Sequence, residues 1–254
     1  MADRQSNLYF AQGGNRMKKL ILCAVIAILV LLIACSSENE TKDEYALYNE
    51  AVLDAMVAEE SELQDLVALD IDDEMTTWND NQVLLITWNK YPESYIEGEK
   101  VQLKYGSIWT FTDKEILAWY DETEGEISDY NLRFKQLIGL PPEDDNTHFT
   151  GMWVNPEDVI RPAYYTNANA DTMDISNVDM GDLYKEWFDD NIITSYYSEY
   201  KYPWTRLGYT YDWSGDGNEY GLTEFLIKEN SEVTVEFTMT TEEFISYMKN
   251  ELTK

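Results

Sequence analysis

The longest apolar stretch of the chain is residues 20–33, where 14 consecutive side chains are apolar. Lys18 and Lys19 precede this run, and the polar residues 36–40 follow soon after it. A helix needs about 20 apolar residues to cross a bilayer, so the run is too short for an ordinary membrane span. A basic start followed by a short apolar core is typical of a signal peptide.

Beyond this leader, the spacing of apolar residues predicts a helix over residues 43–69. Tyr45, Tyr48 and Val52 begin a series with a period near 3.6, and acidic residues lie between them. Residues 70–81 are acidic and show no clear periodicity, so we interpret them as a linker.

From residue 82 onward the pattern changes to short strands separated by turns and helices. Apolar runs and alternating positions predict strands at 83–88, 100–105, 108–111, 148–154, 206–213, 221–228 and 232–239. Helices are predicted over 113–121, 129–138, 182–197 and from 241 to about 252. Thr112 with Glu115, and Thr240 with Glu243, have the spacing of capping boxes, and Ser128 is expected to cap the second helix.

This order of elements predicts an α+β fold with a mostly antiparallel sheet and several packed helices. A signal or anchor segment and an N-terminal helix precede the sheet. We assign residues 1–16 to an expression tag or an upstream start, and 17–34 to the signal peptide. Residues 35–81 form a tether, an acidic helix and a linker, and 82–254 a single domain.

The leader closes with Leu32, Ile33, Ala34 and Cys35. This sequence resembles the bacterial lipobox, in which the cysteine becomes the lipidated first residue of the mature protein. The resemblance implies a lipoprotein precursor attached to a membrane through Cys35. It also implies a location in the bacterial cell envelope, facing the periplasm or the exterior.

The charge of the chain restricts its partners. The chain has 18 basic and 49 acidic residues, and four of the basic residues and one acidic residue precede residue 35, so the remainder carries a formal charge of −34. Such a field repels nucleic acid and favours cations, metal ions or a basic protein partner. Cys23 and Cys35 are the two cysteines, so the folded part has no thiol for a disulfide or a zinc cluster.

Several sequence motifs are similar to those of a family of uncharacterised bacterial secreted proteins. They lie at residues 91–95, 139–142, 156–158 and 202–213, and the similarity extends roughly from Val83 to Val235. It implies one folded module and carries no activity. Members of the family have Cys after the Arg-Pro step, whereas Ala163 follows Arg161 and Pro162 here, so any such disulfide is absent.

Carboxylates are the abundant reactive groups. Hydrolysis of a glycoside requires two of them across a sugar-binding cleft, and Trp and Tyr can supply stacking surfaces. Asp212 and Glu224, on adjacent predicted strands, are the best candidate pair. Glu224 lies between Leu222 and Leu226 on one strand face, so we expect it to be partly buried and paired with Arg206.

Residues 212–218 resemble the opening of a calcium-binding loop, in which oxygen ligands occupy alternate positions. The predicted ligands are Asp212, Ser214 and Asp216 through their side chains, and Asn218 through its backbone carbonyl. The pattern then departs from the motif, because the twelfth position is Thr223 and the acid Glu224 comes one residue late. A glycine-rich hairpin turn explains the same residues.

Two classes of function remain. The first is a non-catalytic, membrane-anchored lipoprotein that binds an unidentified ligand in the envelope or outside it. The second is a carboxylate hydrolase acting on envelope or external glycans. Convergence of Asp212, Glu224 and the tryptophans in a deep cleft would favour the enzyme, and dispersed acids would favour binding.

Overall fold

The computed structural model describes residues 43–175, 180–215 and 217–253. Cys35, the leader and Asp216 lie outside the described residues. The five helices of the described part are α1 (Glu44–Asp54), α2 (Asp113–Thr123), α3 (Tyr130–Leu137), α4 (Asp182–Tyr197) and α5 (Thr241–Glu251). No helix in these ranges is both long and apolar enough to cross a membrane.

The strands are β1 (Trp78–Asn79), β2 (Gln82–Asn89), β3 (Lys100–Gln102), β4 (Ile108–Thr112), β5 (His148–Val154), β6 (Val159–Ile160), β7 (Tyr209–Tyr211), β8 (Tyr220–Thr223), β9 (Phe225–Ile227) and β10 (Glu232–Thr240). Eight of them form one sheet in the order β3-β10-β5-β2-β4-β9-β6, with β1 added to β2, and β7 pairs with β8 separately. Every pairing is antiparallel. The α+β prediction is therefore confirmed.

Strand β2 lies at the centre of the sheet and carries apolar side chains on both faces. Val83 and Leu85 belong to the core on one face, and Ile86 and Trp88 belong to the core on the other. Because alternate side chains of a strand point to opposite faces, a continuous apolar run is what a strand buried on both faces requires.

Three helices cover the face on which Ile86 lies. Ile116 of α2, Phe134 of α3 and Phe244 of α5 all pack into its core. The ring of Phe244 stacks on Phe149 of β5 at 4.2 Å between centroids. Burial of these large aromatic side chains, each contributing roughly 1.5–3 kcal/mol, fixes the helices on the sheet.

The predicted caps have different outcomes. Thr240 and Glu243 form the expected capping box at the start of α5. Thr112 precedes α2 but its side chain makes no capping bond, and the Glu115 carboxylate, which would complete the box, accepts hydrogen bonds from Thr223. Asp129, not Ser128, caps α3 by accepting from the Leu132 amide.

The N-terminal region differs from the predicted helix and linker. Helix α1 ends at Asp54, and the carbonyl of Ala55 accepts hydrogen bonds from Tyr196 and Arg206. Those tertiary bonds use the carbonyl that a longer helix would need for its own next turn. The described residues from Asp43 onward belong to one compact unit.

The predicted strand at 221–228 is divided at Glu224. Before this residue β8 pairs with β7, and after it β9 pairs with β4 and β6 in the main sheet. The Glu224 amide donates to the carbonyl of Gly208, 3.0 Å away. Glu224 therefore occupies the point where the chain passes from one sheet to the other.

Candidate functional site

Strands β2 and β4 diverge, and the divergence opens a cavity. In the described sheet they are paired at Leu85 with Thr112 and at Ile86 with Phe111. Beyond these pairs β2 continues along β5, and β4 continues along β9. The residues that would have paired next, 87–89 of β2 and 108–110 of β4, line the cavity.

The cavity has a volume of about 510 Å³, and its described lining combines aromatic, aliphatic and small polar side chains. This volume lies within the range of about 300–1,000 Å³ that small-molecule sites occupy. Six of the aromatic side chains that line it are Trp88, Trp109, Phe111, Tyr202, Trp204 and Tyr211. Residues 191, 194 and 195 of α4 and the turn after α3 complete the wall.

Two indoles form a corner of this cavity. The rings of Trp109 and Trp204 are 6.2 Å apart between centroids and nearly perpendicular, at 84°. Trp204 is 5% exposed and is held by Phe188 of α4 at 4.9 Å, whereas Trp109 is 40% exposed. One indole is therefore fixed in the core, and the other reaches the surface.

Glu224 lines the same cavity and is 5% exposed. The indole Nε1 of Trp204 donates to its Oε1 at 3.2 Å and also to the carbonyl of Pro162 at 2.9 Å. Burial raises the pKa of Glu224 well above its usual value, and the Trp204 hydrogen bond and the charge of Arg161 oppose the increase.

Arg161 lies behind the cavity wall with no exposed surface. Its Nη2 donates to the carbonyls of Val67, Ala168 and Ala170 at 2.8, 3.1 and 2.8 Å. Burial lowers the pKa of Arg161 to about 10, and the charges of Glu115 and Glu224 oppose that decrease.

Glu115 is the second acid of this group. Burial raises its pKa to about 7, although hydrogen bonds from Thr223 and the charge of Arg161 act in the opposite direction. We call Glu115, Arg161 and Glu224 the buried charge cluster. It contains two carboxyl groups and one guanidinium, and the raised pKa of both carboxyl groups indicates that this one positive charge does not offset the cost of burying them in ionised form.

The predicted pair of Asp212 and Glu224 does not meet in the cavity. Asp212 is buried and accepts two hydrogen bonds from the guanidinium of Arg133, at 3.1 and 2.6 Å. It is not among the described residues that line the cavity, whereas Glu224 is. A carboxylate held by a bidentate arginine is also unsuited to serve as a nucleophile or base.

The predicted pairing of Arg206 with Glu224 is wrong. Arg206 adopts a left-handed backbone conformation, with φ of 63°, in the loop before β7. Its guanidinium donates to the hydroxyl of Tyr164 at 3.0 Å and to the carbonyl of Ala55 at 2.7 Å. Arg161 is the cation whose charge acts on Glu224.

The predicted calcium loop joins β7 to β8. Asp212 Oδ1 accepts from the amide of Ser214 at 3.0 Å, and Asn218 Oδ1 accepts from the amide of Tyr220 at 3.1 Å. Asp216, the fourth predicted ligand, lies outside the described residues. Both bonds are Asx turns, which an Asp or Asn side chain forms with the backbone two residues on, and the Asp212 carboxylate is also bonded by Arg133.

A different acidic group, which the sequence pattern did not reveal, lies near this turn. One carboxylate oxygen from each of Asp54, Glu62 and Glu219 lies within 4.8 Å of the other two. Burial, followed by the charges of Asp54 and Glu62, raises the pKa of Glu219. Asp54 and Glu62 are close in sequence and Glu219 is distant from both, and their hard oxygen atoms are of the type that binds calcium.

Comparison with known proteins gives no match to a family model, a curated protein or a solved structure. The functional interpretation therefore rests on the chemistry of the cavity and of the leader sequence.

Proposed function

We propose that this protein is a membrane-anchored bacterial lipoprotein with a non-catalytic binding role, and that the aromatic cavity is its ligand site. The observation that carries the proposal is a cavity of about 510 Å³ with aromatic side chains in its wall and a single carboxyl side chain among its described lining residues. Apolar concave sites with few polar groups are the usual form of small-molecule binding sites.

The same observation favours binding over glycan hydrolysis. Glycosidases of the two-carboxylate type need their carboxyl groups about 5–9.5 Å apart on the two sides of the scissile bond. Glu224 reaches the cavity, and Asp212 is held by Arg133 elsewhere. A hydrolase that acts on envelope or external glycans therefore remains the second candidate.

The binding role is tested by titrating the protein with soluble peptidoglycan fragments, neutral oligosaccharides and small amines while recording tryptophan emission. We expect a saturable change with at least one compound and no turnover of that compound. Trp109→Phe should remove most of the change, because this indole lines the cavity. Trp153→Phe is the matched control, since Trp153 lies on β5, is not among the described lining residues and bonds to Glu236.

New reducing ends from peptidoglycan or an oligosaccharide would contradict the binding role, provided that Glu224→Gln abolishes their release. That result would establish the hydrolase. A response of equal size in Trp109→Phe and the parent protein would place binding outside the cavity.

The proposed anchor is Cys35, and it leads to a separate expectation. The lipobox-like sequence ending at Cys35 supports attachment to the envelope through a lipid, with the domain facing the periplasm or the exterior. In a bacterial host, Cys35→Ala should abolish labelling by radioactive palmitate and remove the protein from the detergent-extracted lipoprotein fraction. Cys23→Ala is the control and should label normally. Equal labelling of Cys35→Ala and the parent protein would disprove the anchor.

A further inference from the structure

The charges around the cavity select against anions. No Lys, Arg or His is among the described residues that line it, and Glu224 is the one carboxyl residue there. The whole chain carries a formal charge of −31, so its field attracts cations and repels anions. The ligand is therefore expected to be neutral or positively charged.

Several polar side chains of the wall already have partners within the protein. Thr210 Oγ1 donates to the carbonyl of Leu137 at 2.7 Å and accepts from the Leu222 amide at 2.8 Å. The amide nitrogen of Asn146 donates to the carbonyl of Trp88 at 2.9 Å. A polyhydroxylated ligand needs many free polar groups to replace its bound water, and these engaged groups are not available to a sugar.

Asn89 and Thr194 follow the same pattern. The amide nitrogen of Asn89 donates to Thr150 Oγ1 at 3.0 Å, and its oxygen accepts from the backbone of Tyr91 at 2.9 Å. Thr194 donates to the carbonyl of Asp190 at 3.0 Å within α4. These groups maintain the cavity wall, and they offer little hydrogen-bonding capacity to a ligand.

Glu224 differs from these residues. Its Oε1 accepts from Trp204, and no hydrogen bond to Oε2 occurs within the described part of the chain. The buried charge cluster contains two carboxyl groups for one guanidinium, so a positive charge in the cavity would stabilise the ionised form of Glu224. Burial of a carboxylate is costly unless an opposite charge pairs with it.

The indole corner adds a second feature that attracts cations. A cation is drawn to the face of a tryptophan within about 6 Å of the ring centroid, most strongly where water is excluded. Trp204 contacts both Glu224 and Trp109, so the carboxyl and the two indoles form one continuous surface.

We infer that this surface binds a small organic cation of the ammonium class. The ammonium group lies against Glu224, and its apolar substituents contact Trp109 and Trp204. The inference rests on the proposed binding role of the cavity and adds its ligand chemistry. A free small molecule fits the concave site better than the lysine side chain of a basic protein, because the carboxyl lies deep in the wall with only 5% of its residue surface exposed.

The test uses the full chain in a polyoxyethylene detergent, which has neither an ammonium nor a sugar headgroup, at constant ionic strength. Choline and benzylammonium are titrated by calorimetry and tryptophan emission beside their neutral counterparts, 3,3-dimethylbutan-1-ol and benzyl alcohol. We expect saturable binding of at least one ammonium compound. The matched alcohol should bind more weakly than that compound, by on the order of tenfold or more in affinity.

Glu224→Gln should weaken ammonium binding on the order of tenfold or more, because it removes the charge and keeps the shape. Glu122→Gln, on the exposed side of α2, is the matched control for overall charge and should bind as the parent protein does. If Glu224→Gln does not fold, Trp109→Ala takes its place in the test. Trp109 is 40% exposed, so truncating its side chain leaves no enclosed void in the core.

Dependence of binding on pH provides an independent measurement. An ammonium ion pairs with the ionised carboxylate, so its affinity should rise as the pH increases through the raised pKa of Glu224, and Glu224→Gln should abolish the rise. Arg161, Tyr184 and Tyr196 are the other ionisable groups coupled electrostatically to Glu224. Burial lowers the Arg161 pKa only to about 10 and raises those of both tyrosines, so none of the three titrates near neutral pH. Glu115, which shares Arg161 with Glu224, has a pKa raised to about 7 and does titrate there, so only the part of the rise that Glu224→Gln abolishes belongs to Glu224.

Equal affinity for ammonium and alcohol, or unchanged affinity in Glu224→Gln, would overturn the inference. Saturable binding of a neutral oligosaccharide with no response to amines would overturn it and leave the cavity-binding role intact. No response to any compound would count against both. A lysine tripeptide that binds more tightly than the free amines would identify a polypeptide ligand and overturn the assignment to a small molecule.

Discussion

Arg161→Met is expected to lower the free energy of unfolding by about 3–5 kcal/mol at pH 7.5. The substitution retains an unbranched side chain but removes the charge that faces Glu115 and Glu224. It also removes the guanidinium donor from the carbonyls of Val67 and Ala170. The measurement is chemical unfolding in urea, followed by circular dichroism.

Lys185→Met is the matched control. Lys185 pairs with Asp189 one helical turn away on α4, and both side chains are largely exposed to solvent. Exposed pairs of this kind contribute about 0.3–0.5 kcal/mol, so the control should lose little stability. Similar losses in the two variants would show that the buried charge cluster does not stabilise the fold as its geometry predicts.

The effect of Arg161→Met should also depend on pH. The pKa of Glu115 is raised in the folded state from 4.5 to about 7, so the folded state holds this proton more tightly than the unfolded state does. The free energy of unfolding is therefore higher at low pH and decreases as the pH rises from the unfolded-state pKa to the folded-state pKa of Glu115. Removal of Arg161 raises the folded pKa further, so the variant should lose more stability at pH 8 than at pH 5.

The class of fold could be predicted from the sequence because it depends on local patterns. The continuous apolar run that forms β2 and the alternation that forms β10 identify their own secondary structure and burial. The Thr240–Glu243 capping box succeeded for the same reason, since both partners lie within one turn.

The details that were predicted incorrectly from the sequence depend on contacts between residues that are far apart in the chain. Glu115 has the correct spacing for a capping box with Thr112, but Thr223, which is 108 positions away, provides both a backbone and a hydroxyl donor. The burial of Glu224 was predictable from its apolar neighbours. Its partner was not, because the left-handed turn at Arg206 and the fold around Arg161 decide which arginine lies nearby.

The cavity was also beyond the reach of sequence patterns. It exists because β2 and β4 separate after Ile86 and Phe111, which is a property of sheet register and not of either strand. Trp109 and Trp204 are 95 positions apart and meet only in the folded chain. The sequence offered one indirect signal, namely a high density of aromatic residues between positions 202 and 213.

Gly221 permits the close packing of β8 against β7 and the end of α3, next to this cavity. A Cβ atom placed there would collide with Thr210 Oγ1 and with the backbone carbonyl of Leu137, and would lie 2.5 Å from the carbonyl of Thr210. The same Thr210 hydroxyl joins the carbonyl of Leu137, at the end of α3, to the amide of Leu222. The close approach of β7, β8 and α3 therefore requires a residue without a side chain.

Gly221→Ala is accordingly expected to lower the free energy of unfolding by about 3 kcal/mol or more, because the collision involves backbone atoms that cannot rotate away. Gly125→Ala is the matched control: its added Cβ meets no atom within 4 Å, so its stability should stay within about 0.5 kcal/mol of the parent protein. Urea unfolding of the two variants measures the difference. If Gly221→Ala unfolds at the same urea concentration as Gly125→Ala, the close packing of α3 against β7 and β8 is not a structural requirement. Because Thr210 also lines the cavity, a variant that stays folded should show altered tryptophan emission from that region as well.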